Sequence, residues 1–157
     1  MSKEKVMTAD PGMMTEPTRT VDAAGTQEWH VNGQRHRLDG PAVISAVGRQ
    51  WWVNGQRHRL DGPAYIGAAG TQEWWVNGQR HRPVGPAVIS AAVRQEWYVN
   101  SQLHRPVGPA IIGAAGTQEW WVRGQNITTQ VNSWMQTQAV VWPWDDQTQM
   151  LFQLTWG

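Results

Sequence analysis

The chain has no cysteine, one phenylalanine and two tyrosines in 157 residues. The first absence excludes disulfide frameworks and thiolate metal sites. Charge of one sign is lacking too: 13 Lys+Arg against 12 Asp+Glu leave +1, with no bulk field to recruit nucleic acid or an acidic membrane. No apolar run approaches the ~20 residues a membrane helix needs. The opening stretch, MSKEKVMTADPGMMTEP, lacks an apolar core of the signal-peptide kind, which predicts a chain without a cleaved leader. One domain is expected at this length. The abundant residues are tryptophan, with 12, and glycine, with 16. Such a skew points to repetition, because a copied unit multiplies its own favoured residues.

The copies are easy to find. WHVNGQRHR begins at Trp29, WWVNGQRHR at Trp51 and again at Trp74, WYVNSQLHR at Trp97, and a failing copy, WWVRGQNIT, at Trp120. His36, His58, His81 and His104 follow one another at steps of 22, 23 and 23 residues, and Pro41, Pro63, Pro86 and Pro109 repeat those steps. The short step is assigned to a Glu missing from GRQWW. A fixed period of this size marks a stacked array. The chain therefore divides into a polar, Pro-containing flexible arm (1–20), the repeats (21–125) and a closing segment (126–157).

Within a unit the alternation has period 2. In TQEWWVN, Gln72, Trp74 and Val76 point one way and Thr71, Glu73 and Trp75 the other. Asn-Gly then makes a tight turn, since both residues tolerate positive φ. GPAVISA supplies a second strand. The predicted fold is mainly all-β: an elongated antiparallel β-meander of 22–23-residue hairpin repeats with a C-terminal helix-strand cap. In the cap, Asn126 heads a helix with the stripe Ile127, Val131, Trp134 and Met135, ending near Gln138. Met150, Phe152, Leu154 and Trp156 alternate against Gln149, Leu151, Gln153 and Thr155, which predicts a half-buried final strand.

Comparing units separates two classes of position. Trp29, Trp51, Trp74, Trp97 and Trp120, with Ile44, Ile66, Ile89 and Ile112, do not vary and are read as the repeat core. His30, Trp52, Trp75, Tyr98 and Trp121, with Tyr65, vary and form the candidate interaction face. Burying five large rings of that second class is worth on the order of 20 kcal/mol as an upper bound. A face of that size predicts cover, either from neighbouring units as the sheet coils or, the favoured reading, from another chain, hence a homo-oligomer or larger assembly.

The phrase WxVNGQxHR followed by Gly-Pro-Ala, at this period, resembles the MORN repeat in the variant form of bacterial and phage reading frames. The resemblance spans residues 21–125. His-Arg at Arg37, Arg59, Arg82 and Arg105 stands where the common unit has His-Gly, which removes the basis for carrying over lipid roles. The resemblance implies an elongated hairpin sheet, frequently dimeric, acting as a scaffold or interaction module. It implies no catalytic residue and no cofactor. The expected function is a structural or protein–protein interaction module of a virus- or phage-associated assembly, in the virion if phage-encoded and otherwise cytoplasmic. An immunity or antitoxin-type binding protein is the alternative.

His36, His58, His81 and His104 recur about 10 Å apart in a stack, too far to share an ion held at ~2.1 Å. They are read as connector histidines bonding backbone, with no metal. Arg35, Arg37, Arg57, Arg59, Arg80, Arg82 and Arg105 are expected along one edge, paired with carboxylates between units, rather than on nucleic acid. A multivalent, lectin-like glycan binder using the Trp ladder is the remaining alternative, with Gln72, Asn77 and Gln79 as orienting polar groups.

Overall fold

The computed structural model describes residues 16–157. It is mainly β: a long antiparallel meander in which ten strands follow one another, from Thr18–Val21 and Gln27–Val31 to Ile111–Ile112 and Gln118–Glu119. Each GPA strand is hydrogen-bonded on both sides. Val88 faces Glu73 across one edge and Glu96 across the other, and Ile111 stands likewise between Glu96 and Glu119. The Trp strands then continue into short hairpins such as Trp75–Val76 with Gln79–Arg80. Their turns have positive φ at both central residues, 49° at Asn54 and 74° at Gly55, the form the Asn-Gly signal predicts.

A second set of hydrogen bonds links the hairpins of successive units. The Arg37 N–H donates to the Trp52 carbonyl at 3.0 Å and the Gly55 N–H to the Arg35 carbonyl at 3.0 Å, with the same pair repeated at Arg59–Trp75 and Gly78–Arg57. Each unit is thus tied to its neighbour at the main sheet and again at the hairpin end.

Several expectations are corrected. The arm does not run to residue 20, because Thr18–Val21 is the first strand of the sheet, paired Thr18 to His30 and Val21 to Gln27. Its remainder, 1–15, lies outside the described residues. The residue missing from the second unit is not the Glu. Gln50 faces Val43 on one side and Tyr65 on the other, the place Glu73 takes opposite Tyr65 and Val88. The chain is shortened instead at the turn, where Ser45 pairs directly with Gly48. The buried layer is also thinner than predicted. Ala42, Ala64, Ala87 and Ala110 are fully buried, joined by Val43, Val88 and Ile111, whereas Ile44, Ile66, Ile89 and Ile112 are only half-buried. A single-layer ribbon leaves room for full burial only next to the backbone.

The closing segment holds two helices, α1 (Thr128–Gln138) and α2 (Asp146–Trp156). The first covers the predicted span, but its cap is Ile127, which makes no side-chain capping bond; Asn126, one residue earlier, accepts the Thr128 N–H at 2.9 Å, and Ile127 and Val131 are buried. The predicted final strand is a helix. Asp145 caps it by accepting the Thr148 N–H at 2.8 Å, and Thr148, Phe152 and Trp156 form its inward stripe at the i, i+4, i+8 spacing. The alternation of Met150, Phe152, Leu154 and Trp156 was coincidental, and Met150 and Leu154 are exposed. Both helices close the last unit. Thr128 Oγ1 accepts the Trp120 N–H at 3.0 Å, replacing the Ala carbonyl that serves Trp29, Trp51, Trp74 and Trp97. Trp120, Ile127, Val131, Trp144 and Phe152 then make the one cluster of large buried side chains among the described residues. No helix there is long and apolar enough to cross a membrane.

One turn is strained. Val93 has φ 63°, where the equivalent positions are Gly70 at 92° and Gly116 at 76°. A β-branched residue in this region costs about 1–2 kcal/mol, of which glycine's greater freedom in the unfolded chain returns part. Val93→Gly is therefore expected to stabilise the protein by about 1 kcal/mol, seen as a thermal midpoint roughly 2–4 °C higher. An unchanged or lower midpoint would show that the turn carries no strain.

Candidate functional site

The aromatic side chains fall into two stacks, and arginines belong to both. The first contains the variable rings. Arg35 and Arg57 each lie 5.3 Å from the Trp52 ring, Arg57 lies 5.3 Å from Trp75 and 5.6 Å from Tyr65, and Arg80 sits 5.0 Å from Trp75 and 5.5 Å from Tyr98. The result is a ladder reading Arg35, Trp52, Arg57, Trp75, Arg80, Tyr98. Carboxylates and amides at the strand start hold it. Glu28 takes Arg35 at 2.6 Å, Gln50 takes Arg57 at 3.0 Å, and Glu73 accepts the Trp75 Nε1–H at 2.8 Å. The same arrangement appears at Trp121, whose Nε1–H goes to Glu119 at 3.0 Å, and His30 stands 3.3 Å from Glu28. In the fourth unit Leu103 replaces the arginine, and Tyr98 bonds Glu96 at 2.9 Å.

The chain itself covers part of this ladder. Its rings are half-buried, and the chain's own arginines lie between them. Cation–π contacts of this sort contribute about 0.5–2 kcal/mol each. The demand for a second chain over this face is correspondingly smaller than apolar area alone implied. Arginine–carboxylate pairs, expected between units, instead close within units (Arg35–Glu28, Arg37–Asp39, Arg59–Asp61, Arg80–Glu73), and between units the arginine side chains meet rings.

The second stack uses the unvarying tryptophans. Arg37 lies 4.1 Å over Trp29, Arg59 4.1 Å over Trp51, Arg82 3.8 Å over Trp74 and Arg105 4.0 Å over Trp97. Only Trp120, under the helices, is fully buried; Trp29, Trp51, Trp74 and Trp97 are half-buried. Trp29, Trp51 and Trp74 line a row of three grooves, bounded by successive His-Arg connectors. The groove at Trp51 and that at Trp74 each enclose about 510 Å³, and the first, at Trp29, about 670 Å³. Glu16 and Pro17 take the place of the preceding connector in the first. The rims are exposed aliphatic side chains: Leu38 at 68%, Leu60 at 79% and Val84 at 82%. These rims went unnoticed in the sequence. The signal was there, in apolar residues placed between charged and turn residues in LDGP and PVGP.

Connector histidines reach forward, not into their own turn. His36 Nδ1 lies 2.8 Å from Asn54 Oδ1 and 3.2 Å from the Asn54 N, and His58 meets Asn77 at the same distances. A protonated Nδ1 donates to the amide oxygen and a bare one accepts the N–H, so either state holds the next unit. His104 differs because Arg123 stands where the Asn would be. Its Nδ1 accepts the Arg123 N–H at 3.3 Å, which requires a neutral ring. Burial lowers its pKa below the ordinary 6.5, and the Arg123 charge adds to the effect. The folded state therefore binds this proton less readily than the unfolded chain does. Its stabilisation is full above pH 6.5 and is lost as pH falls through the lower, folded value. Urea unfolding is expected to show stability falling below pH 6.5, and Arg123→Asn should reduce that slope. An equal slope in both proteins would refute the assignment.

The two kinds of connector differ in charge. Asp39 takes Arg37 Nε at 2.8 Å and Nη2 at 3.4 Å; Asp61 takes Arg59 Nε at 2.8 Å and Nη2 at 3.5 Å. Hydrogen bonds from these arginines hold both carboxyls below the usual carboxylate range. The third and fourth connectors have Val84 and Val107 at that position. Scans of family models, curated proteins and solved structures each gave no match to this chain.

Proposed function

We propose that the chain is a non-enzymatic, MORN-like repeat scaffold that binds other proteins along its row of grooves. The observation that carries this reading is the repetition of one accessible feature at a constant pitch of roughly 10 Å, set by two strands per unit. Each groove offers an indole, an arginine and an exposed aliphatic rim in the same order. A rigid ribbon with periodic slots suits an extended or repetitive partner, since several weak contacts then act together. The working face is accordingly the one with Trp51 and Trp74, while the Trp52–Trp75–Tyr98 ladder serves cohesion between units. A place in a virus-associated assembly rests on the repeat resemblance alone.

The test replaces the rims. Leu38→Lys, Leu60→Lys and Val84→Lys together should leave the thermal midpoint within a few degrees, because exposed substitutions usually stay within about 0.5 kcal/mol each. The triple variant should lose the proteins that the parent captures from its source cells. Capture that survives, but disappears with Trp75→Ala, would return the binding role to the ladder face. A second reading, glycan binding, draws on the same half-buried indoles. Glycan-array signal lost on Trp51→Ala or Trp74→Ala, with no protein captured, would favour it.

A further inference from the structure

The two connector types expose one difference that assigns a ligand chemistry. In the first and second units the guanidinium edge formed by Nε and Nη2 is closed by the unit's own carboxylate, Asp39 or Asp61. Nη1 is used separately, donating to the Pro41 or Pro63 carbonyl at 3.4 and 3.3 Å. Arg82 keeps that second bond, to the Pro86 carbonyl at 3.0 Å, and its ring contact with Trp74. With Val84 in the Asp position, its Nε and Nη2 have no partner among the described residues, and neither is a sealed-off atom of the interior. Partial burial lowers its pKa. Arg105 also lacks the Asp, but Trp142 of the closing segment covers it, 5.6 Å from the guanidinium. The open fork is therefore at Arg82, on the wall of the groove lined by Trp74, Val76, Leu60 and Val84. The one carboxylate on that groove, Asp61, is already committed to Arg59.

We propose that this groove binds a peptide carboxylate on the Arg82 fork, with an adjacent apolar side chain of the same peptide laid against Trp74, Leu60 and Val84. The internal Asp39 and Asp61 show that a carboxylate fits this fork in bidentate fashion, the geometry in which arginine binds most selectively. Charge complementarity and the aliphatic rim together select an acidic residue, or a chain end, flanked by apolar residues. The inference rests on the protein-interaction reading above and narrows its partner class.

A displayed library of random dodecapeptides, panned on the full chain, tests it. Enriched peptides should carry Asp, Glu or a C-terminal carboxylate beside an apolar residue. Synthetic copies with Asp→Asn, or with an amidated end, tell side-chain from chain-end carboxylates; one of the two changes should weaken binding at least about tenfold, a loss of ~1.4 kcal/mol. Val84→Asp, which places a carboxylate where Asp39 and Asp61 stand, should weaken binding similarly while its unfolding midpoint is retained. On binding, the Arg82 Nε–H resonance should shift more than that of Arg59. Peptides that bind equally well without a carboxylate, or that leave the Arg82 resonance unmoved, overturn the site but not the interaction reading. No enrichment at all counts against both.

Discussion

Phe152→Ala is expected to cost about 3–5 kcal/mol, the range for removing a buried phenylalanine. Phe152 is fully buried, with ring centroids 5.0 Å from Trp144, 5.1 Å from Trp156 and 6.5 Å from Trp134. Trp144 in turn stacks at 6.3 Å on Trp120, the last ring of the array. The loss should therefore begin at that end. In a linear array each unit is stabilised only by its neighbours, so an opened end frays inward. Hydrogen exchange should rise first around Trp120 and Ile127, with the Trp51 and Trp74 units protected until higher urea. A loss below about 1 kcal/mol, or uniform exchange along the chain, would mean the helices are an appendage and not a closure.

Gly48→Ala is expected to be comparably severe at the other end. A Cβ on Gly48 would overlap the Ile66 carbonyl oxygen and lie 2.9 Å from Gly67 Cα, both backbone atoms that cannot swing aside. Its φ of 144° is also nearly confined to glycine. Overpacking of about 1–3 kcal/mol and strain of a similar size place the total on the order of 4 kcal/mol. The matched control is Gly116→Ala, where φ is 76° but no atom lies within 4 Å of the new Cβ. Only the backbone cost, about 1–2 kcal/mol, should appear there. Equal losses in the two variants would show that the close approach of the second and third strand pairs is not what fixes Gly48.

These two glycines also show how far the sequence could be read. The period, the Asn-Gly turns and the GPA strands were legible because each is a local signal repeated several times. The deletion in the second unit was visible as a shorter step, but its place was not. Only pairing shows Gln50 in the Glu position and the turn shortened to Ser45–Gly48. The last helix was misread because MLFQLTW satisfies period 2 as well as period 3.6. Asp145, three residues before Thr148, was the deciding cue, and it is a capping signal and not a pattern of apolar residues.

The candidate site was half legible. Both tryptophan classes were found, but their cover was not, since alternation says which way a ring points and nothing about which arginine lies on it. Arg35 and Arg37 are two residues apart, yet one enters the Trp52 stack and the other lies over Trp29. A reading based on apolar area made the variable rings the open face. Arginines lie over rings of both classes, 5.0–5.6 Å from the ladder rings and 3.8–4.1 Å from the groove tryptophans, and what marks the grooves is their exposed aliphatic rim.

The proposed function requires free indoles in the Trp51–Trp74 grooves, whereas those of Trp52 and Trp75 are bonded to Gln50 and Glu73. Exchange of the twelve indole N–H protons with solvent, followed by NMR on the full chain, tests it most directly. Trp75 and Trp121, bonded to Glu73 and Glu119 at 2.8 and 3.0 Å, should exchange slowly, and Trp51 and Trp74 rapidly. The reverse order, with the ladder indoles fast and the groove indoles protected, would make the ladder the accessible face and leave the grooves without a binding role.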